Sequence, residues 1–123
     1  AYPTAITVVM SLIESAMKLG MPEARIPLAE AAIFLATCPK SNSAYMAYAA
    51  AKNDFLSGMG QDIPLHLQSP LFKGYKYPHD YPDHYVKQQY LPDEIKDAKF
   101  YEPTDIGCEK DIKERLERLR NRE

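Results

Sequence analysis

Hydrophobic periodicity is strongest in residues 1–58. Along the first helix the polar residues Thr7, Ser11, Glu14 and Lys18 recur at spacings of four, three and four, which traces one narrow wet stripe. Apolar residues from Ile6 to Met17 cover the rest of its circumference, so this helix must pack on two sides. It is predicted to start near Pro3, since a proline is tolerated where the N–H would be unpaired anyway, and to stop at Gly20. A second helix is predicted from about Pro27. Only Glu30 is polar between Leu28 and Ala36, and a helix apolar all round belongs in the middle of a larger packing. Pro39 ends it by pushing the preceding residue out of the helical region. The third helix is expected to start at Ser41 or Asn42, whose side-chain oxygens suit an N-cap. It runs through Ala44–Ala51 to Phe55 and Leu56, with Ala47, Ala50 and Ala51 small enough to admit another helix closely. Gly58 and Gly60 release the chain.

Residues 59–107 read differently. They hold most of the prolines and six of the nine tyrosines. Pro78, Pro82 and Pro92 exclude a long helix. Ile63–Leu67 is expected to be extended, Val86–Leu91 a turn of helix or a short strand, and Asp93–Lys96 a helical turn. So many aromatic residues argue for an ordered segment wrapped over the helices. Residues 108–123 form a charged surface helix with Ile112, Leu116 and Leu119 at i, i+4 and i+7, and with acid-before-base pairs Asp111–Arg115 and Glu114–Arg118. The fold class is therefore all-α: one domain over residues 1–123, with a helical core at 1–58, an irregular segment at 59–107 and a terminal helix at 108–123.

Composition narrows the options for function. Fifteen basic and seventeen acidic residues among 123 give a formal charge of −2, so the whole-chain balance offers no general nucleic-acid footprint. Cys38 and Cys108 make no disulfide framework; Cys38, among apolar residues, is expected as a buried free thiol in a reducing cytoplasm. No run approaches the ~20 apolar residues of a membrane span. The N-terminus has no basic residue ahead of Ile6–Ile13 and fails as a signal peptide. With no initiator Met and a start already in helical pattern, the chain is expected to be part of a longer protein.

Three stretches carry candidate chemistry. Pro39-Lys-Ser-Asn-Ser43 leads into a helix N-terminus, where Lys40, Ser41 and Asn42 are anion-contact candidates. It lacks the glycines of GxxxxGK[ST], and a cap with a surface lysine explains it as well. His79, Asp80, Asp83 and His84 are ligand types for a metal within six residues, but Pro82 interrupts them and both aspartates suit turn caps. Tyr75, Tyr77, Tyr81, Tyr85 and Tyr90 interleave with Lys73, Lys76 and Lys87. Lys73, Lys76 and Tyr77 are the candidates for stacking and phosphate contact with a single strand. Asp80, Asp83, Asp93 and Glu94 dilute that positive field, so packing of the rings is the favoured reading. No Ser-His-Asp or Cys-His arrangement is legible, and no catalytic residue is assigned.

Several strings resemble the C-terminal region of the MgsA/RarA AAA+ ATPases, relatives of the Werner-helicase-interacting ATPase. They are Gly20–Glu30, Ile33–Ala36, Pro39–Tyr45, Pro64–Leu67, Tyr75–Pro82, Gln88–Asp93 and Phe100–Pro103, together spanning nearly the whole chain. The resemblance implies a clamp-loader-like parent with DNA-dependent ATPase activity at stalled forks and in recombination-linked repair. It implies a helical, collar-like region that assembles as a homotetramer, with DNA and replication proteins as partners of the parent and a nucleoid-associated, cytoplasmic location. Walker motifs, the arginine finger, ATP and Mg are expected in an upstream domain, so this region holds no cofactor and is no enzyme by itself. One departure is a short Gln68–Lys73 connection, where the family carries a longer Lys- and Gly-containing one. Beside assembly, the residues leave open a DNA- or partner-binding module on the Tyr/Lys segment.

Overall fold

The computed structural model describes residues 1–69 and 73–122. Four α-helices form: α1 (Ala5–Leu19), α2 (Arg25–Thr37), α3 (Ser43–Leu56) and α4 (Glu109–Arg120). Among the described residues there is no strand, so the chain is all-α. The irregular segment is punctuated by four 3-10 turns, at Leu65–Leu67, Pro78–Asp80, Pro82–His84 and Asp93–Ile95. The helical turn expected at Asp93 is there. Of Ile63–Leu67, Leu65–Leu67 is tightened into a turn rather than extended, and Val86–Leu91 is neither helix nor strand.

Contacts group the chain into two compact units. One comprises Ala1–Ser41 with Thr104–Asp111, the other Asn42–Pro103 with Ile112–Glu123. The core of the first is the packing of α1 on α2. Val8, Val9, Leu12 and Ala16 turn inward on α1, as do Ala24 at the N-cap of α2 and Pro27, Ala31 and Phe34 within it. Tyr2 meets Phe34 edge to face at 5.8 Å between ring centroids. Gly20 ends α1 at φ 70°, and its N–H donates to the Ala16 carbonyl. Pro27 falls in the first turn of α2, where it removes no helical hydrogen bond. Cys38 is half-exposed rather than buried, because it lies past the last turn of α2, where the chain turns away.

The predicted cap of α3 works otherwise than expected. Asn42 occupies the N-cap position but makes no side-chain cap bond. The Ser41 hydroxyl donates instead to Glu109 Oε1 at 2.9 Å. Glu109 is buried, and its Oε2 accepts from the Thr104 N–H at 2.9 Å and the Thr104 hydroxyl at 2.6 Å. Its carboxylate lies in the first turn of α4, where the helix dipole favours negative charge. Just before it, Gly107 adopts φ 55°, and the Cys108 N–H donates to the Ala1 carbonyl at 2.8 Å. A Cβ at Gly107 would stand 2.5 Å from that carbonyl oxygen, so only glycine fits this approach.

Removing the carboxylate leaves the Ser41 and Thr104 donors without their acceptor. Glu109→Ala is expected to lower unfolding free energy by about 1–3 kcal/mol in a denaturant titration, with Glu109→Gln losing less.

Candidate functional site

Large apolar side chains are exposed on three of the helices. The covered row of α3 is Ser43, Ala47, Ala51 and Asp54, while Tyr45, Met46, Tyr48, Phe55 and Leu56 are exposed. On α1 the stripe Ile6, Met10, Ile13 and Met17, spaced four, three and four, is exposed beside the covered face. α2 likewise exposes Ile26 and Ile33. The need for partners on two sides of α1 is thus met on one side only. Tyr45, Tyr48 and Phe55 are 72, 67 and 57% exposed. At about 200 Å² per ring side chain, these three alone present about 400 Å² of largely apolar surface, which reaches the size of the largest patch on a typical monomer.

Total area points the same way. Two separate compact bodies sharing this mass would expose about 8,100 Å². The chain exposes 9677 Å², so the excess belongs to the units themselves however they are arranged.

The Tyr/Lys segment builds a second surface. Gln88 holds Lys76 as a ladder partner would: the Lys76 N–H donates to Gln88 Oε1 at 3.1 Å, and Gln88 Nε2 donates to the Lys76 carbonyl at 2.7 Å and to the Tyr90 hydroxyl at 2.9 Å. Sequence reasoning missed this clamp, because a glutamine in a proline-broken segment carries no periodic signal. Beside it, Lys76, Tyr81, Pro82, Tyr85, Val86, Lys87 and Arg122 line a cleft of about 320 Å³. Arg122 pairs with Asp83 at 2.7 Å, an exposed bridge worth at most about 1 kcal/mol. Arg122 also escaped the sequence reading, since nothing in the charged tail distinguishes it from its neighbours. Tyr77, Tyr81 and Tyr90 are exposed, so the expectation that the rings pack is corrected for these three and holds in part for half-buried Tyr75 and Tyr85. Lys73 is exposed but lies outside the lining of the cleft.

The remaining candidates separate. Lys40 serves the end of α2. Its ammonium donates to the carbonyls of Ala36 and Cys38 at 3.1 and 2.9 Å, completing the C-terminus of α2, where a cation is favoured. With Ser41 engaged by Glu109 and no glycine loop, Lys40, Ser41 and Asn42 do not fit a nucleotide phosphate. The rings of Tyr77, His79 and His84 form a tilted row, with centroids 5.0 and 4.8 Å apart. Asp83 and His84 have positive φ of 55° and 53°, which turns the chain sharply, and the Asp83 carboxylate goes to Arg122. Among the described residues no group of three or more His, Cys, Asp or Glu side chains converges as metal ligands, so His79, Asp80, Asp83 and His84 are not gathered into a site. A second cleft, of about 370 Å³, is lined by Asp62–His66, Gln89 and Pro92–Glu94 and is acidic and apolar. Its His66 Nε2 lies 2.7 Å from the Gln89 carbonyl oxygen.

A family model described as MgsA AAA+ ATPase C terminal matches residues 1–120. The chain belongs to the MgsA AAA+ ATPase C-terminal family. An uncharacterized AAA domain-containing protein of Mycobacterium tuberculosis is 44% identical over 98% of this chain and 28% of its own length. Replication-associated recombination protein A of Bacillus subtilis is 44% identical over 87% of the chain and 28% of that protein. Its Haemophilus influenzae counterpart is 36% identical over 100% of the chain and 30% of that protein.

This MgsA C-terminal chain therefore spans less than a third of the length of these relatives. The Haemophilus alignment runs to 133 positions against 123 residues, so at least ten positions of it have no residue in this chain. The short connection noted between Gln68 and Lys73 lies partly outside the described residues. No helix among those described is long and apolar enough to cross a membrane.

Gln88→Ala removes both bonds that hold the Lys76 peptide. Amide exchange at Lys76 is expected to accelerate about tenfold, with α1 and α2 amides unchanged, as read by hydrogen exchange.

Proposed function

We propose that the chain is the self-association domain of a clamp-loader-like AAA+ ATPase that acts in replication-fork maintenance and recombination in the cytoplasm, and that it assembles as a homotetramer. One observation carries this reading: α1, α2 and α3 each leave large apolar side chains exposed, Ile6, Met10 and Met17 on the first, Ile26 and Ile33 on the second, Tyr45, Tyr48 and Leu56 on the third. Such surface is costly to leave in water and suits an interface between copies. The replication and recombination role rests on the names of the relatives. ATP and Mg, on this reading, are bound and ATP is hydrolysed outside residues 1–123, and this region positions the ATPase modules without catalysing a step itself. Sedimentation velocity is expected to give a tetramer at micromolar concentration. A strict monomer at several hundred micromolar would overturn the proposal.

A second reading concerns DNA. Lys76, Lys87 and Arg122 lie around Tyr81 and Tyr85 in one cleft, the combination of cations and rings that tracks a single strand. Labelled single-stranded oligonucleotide is expected to bind in fluorescence anisotropy, with each of Lys76→Ala and Lys87→Ala lowering the salt slope by about 0.7. Lys73→Ala, outside the cleft, is expected to do less. No binding at low salt would remove this reading.

A further inference from the structure

Two outward faces of this chain carry the same pattern with opposite charge. On α2 an exposed row beside the covered Ala24–Pro27–Ala31 row runs through Ile26, Glu30, Ile33 and Thr37, spaced four, three and four. One carboxylate therefore sits between two exposed isoleucines a helical turn away on either side. On α3 the face opposite Ser43, Ala47 and Ala51 forms a shallow groove of about 450 Å³, lined by Tyr45, Tyr48, Ala49, Lys52, Asn53 and Leu56. One ammonium sits there between exposed rings and Leu56. Both charges are exposed, and neither Glu30 nor Lys52 has a hydrogen-bond or ion-pair partner among the described residues.

A lone charge inside an apolar stripe selects what can cover it. An uncharged apolar surface would strip its water and return nothing, whereas a stripe of the same width with the opposite charge at its centre satisfies it. The outer faces of α2 and α3 are such complements, and both belong to this chain. We propose that α2 of one copy packs its Ile26–Glu30–Ile33 face onto the Tyr45–Lys52–Leu56 face of α3 in a second copy, with Glu30 and Lys52 paired at the centre. This rests on the self-association reading above and names the faces that meet. Because the two faces differ, each copy offers both halves of the contact, which either closes a ring or occurs twice across a twofold axis.

The test uses the 123-residue chain, with sedimentation velocity for assembly and circular dichroism for helix content. Glu30→Lys and Lys52→Glu, each placing like charges at the contact, are expected to raise the dissociation constant about tenfold or more at unchanged helix content. The double variant is expected to return to within about threefold of the original value. An equimolar mixture of the two single variants is also expected to reassemble, since each chain supplies the charge the other lacks. That rescue cannot arise from a damaged fold or from pairing within one chain. If the original chain assembles and the single variants assemble equally well, this pairing is wrong while self-association stands. A monomeric original chain overturns both. Rescue in the double variant without rescue by mixing places the pair within one chain and overturns the proposal.

Discussion

The packing of α1 on α2 governs the helical part of this molecule. The two meet through Val8, Val9, Leu12 and Ala16 on one side and Ala24, Pro27, Ala31 and Phe34 on the other, and only some of these are large. α3 turns Ala47 and Ala51 to its covered face. Short side chains let backbones approach, but they remove little apolar area from water, at about 25 cal/mol per Å². The residues that would contribute most to a core of this chain's own, among them Ile6, Met17, Tyr45, Tyr48 and Leu56, face outward. The buried apolar residues among those described are small or medium-sized: Ala16, Ala24, Pro27, Ala31 and Val86.

Side chains organise the rest where the backbone cannot. Among the described residues from Gly60 to Pro103 there is no α-helix or strand, and backbone groups find partners in polar side chains. Gln88 clamps Lys76, Gln89 reaches the Leu91 carbonyl and Asp93, Glu94 accepts from Gly60, and Gln68 donates to the Ile63 carbonyl. Gln61 closes the end of α3 by donating to the Phe55 carbonyl. Glu109 does the same for the first unit, gathering Ser41 and Thr104 at the start of α4. Each of these acceptors or donors is a single long polar side chain, and most of the bonds are exposed enough to contribute modestly on their own.

Much of the helical part was legible. The wet stripe of Thr7, Ser11, Glu14 and Lys18, the stop at Gly20, the break at Pro39 and the seam Ile112–Leu116–Leu119 all follow from periodicity and from the chemistry of glycine and proline, which act within one turn of the chain. The candidate site was legible only as a list of residue types. Lys76 and Lys87 share a cleft, while Lys40 turns back onto α2, although all three looked alike as exposed lysines near polar neighbours.

The sequence by itself determined the helices, their apolar stripes and family membership, because these depend on residue spacing and on strings of identity. Tertiary structure alone decided which stripe of each helix was covered. α1 and α2 have apolar residues on nearly every face, so periodicity cannot choose on α1 between the Val8–Val9–Leu12–Ala16 row and the Ile6–Met10–Ile13–Met17 row; packing against α2 chose the first. It also decided that Ser41 serves Glu109, sixty-eight residues away, instead of capping α3, a choice made by a partner no local pattern can reveal.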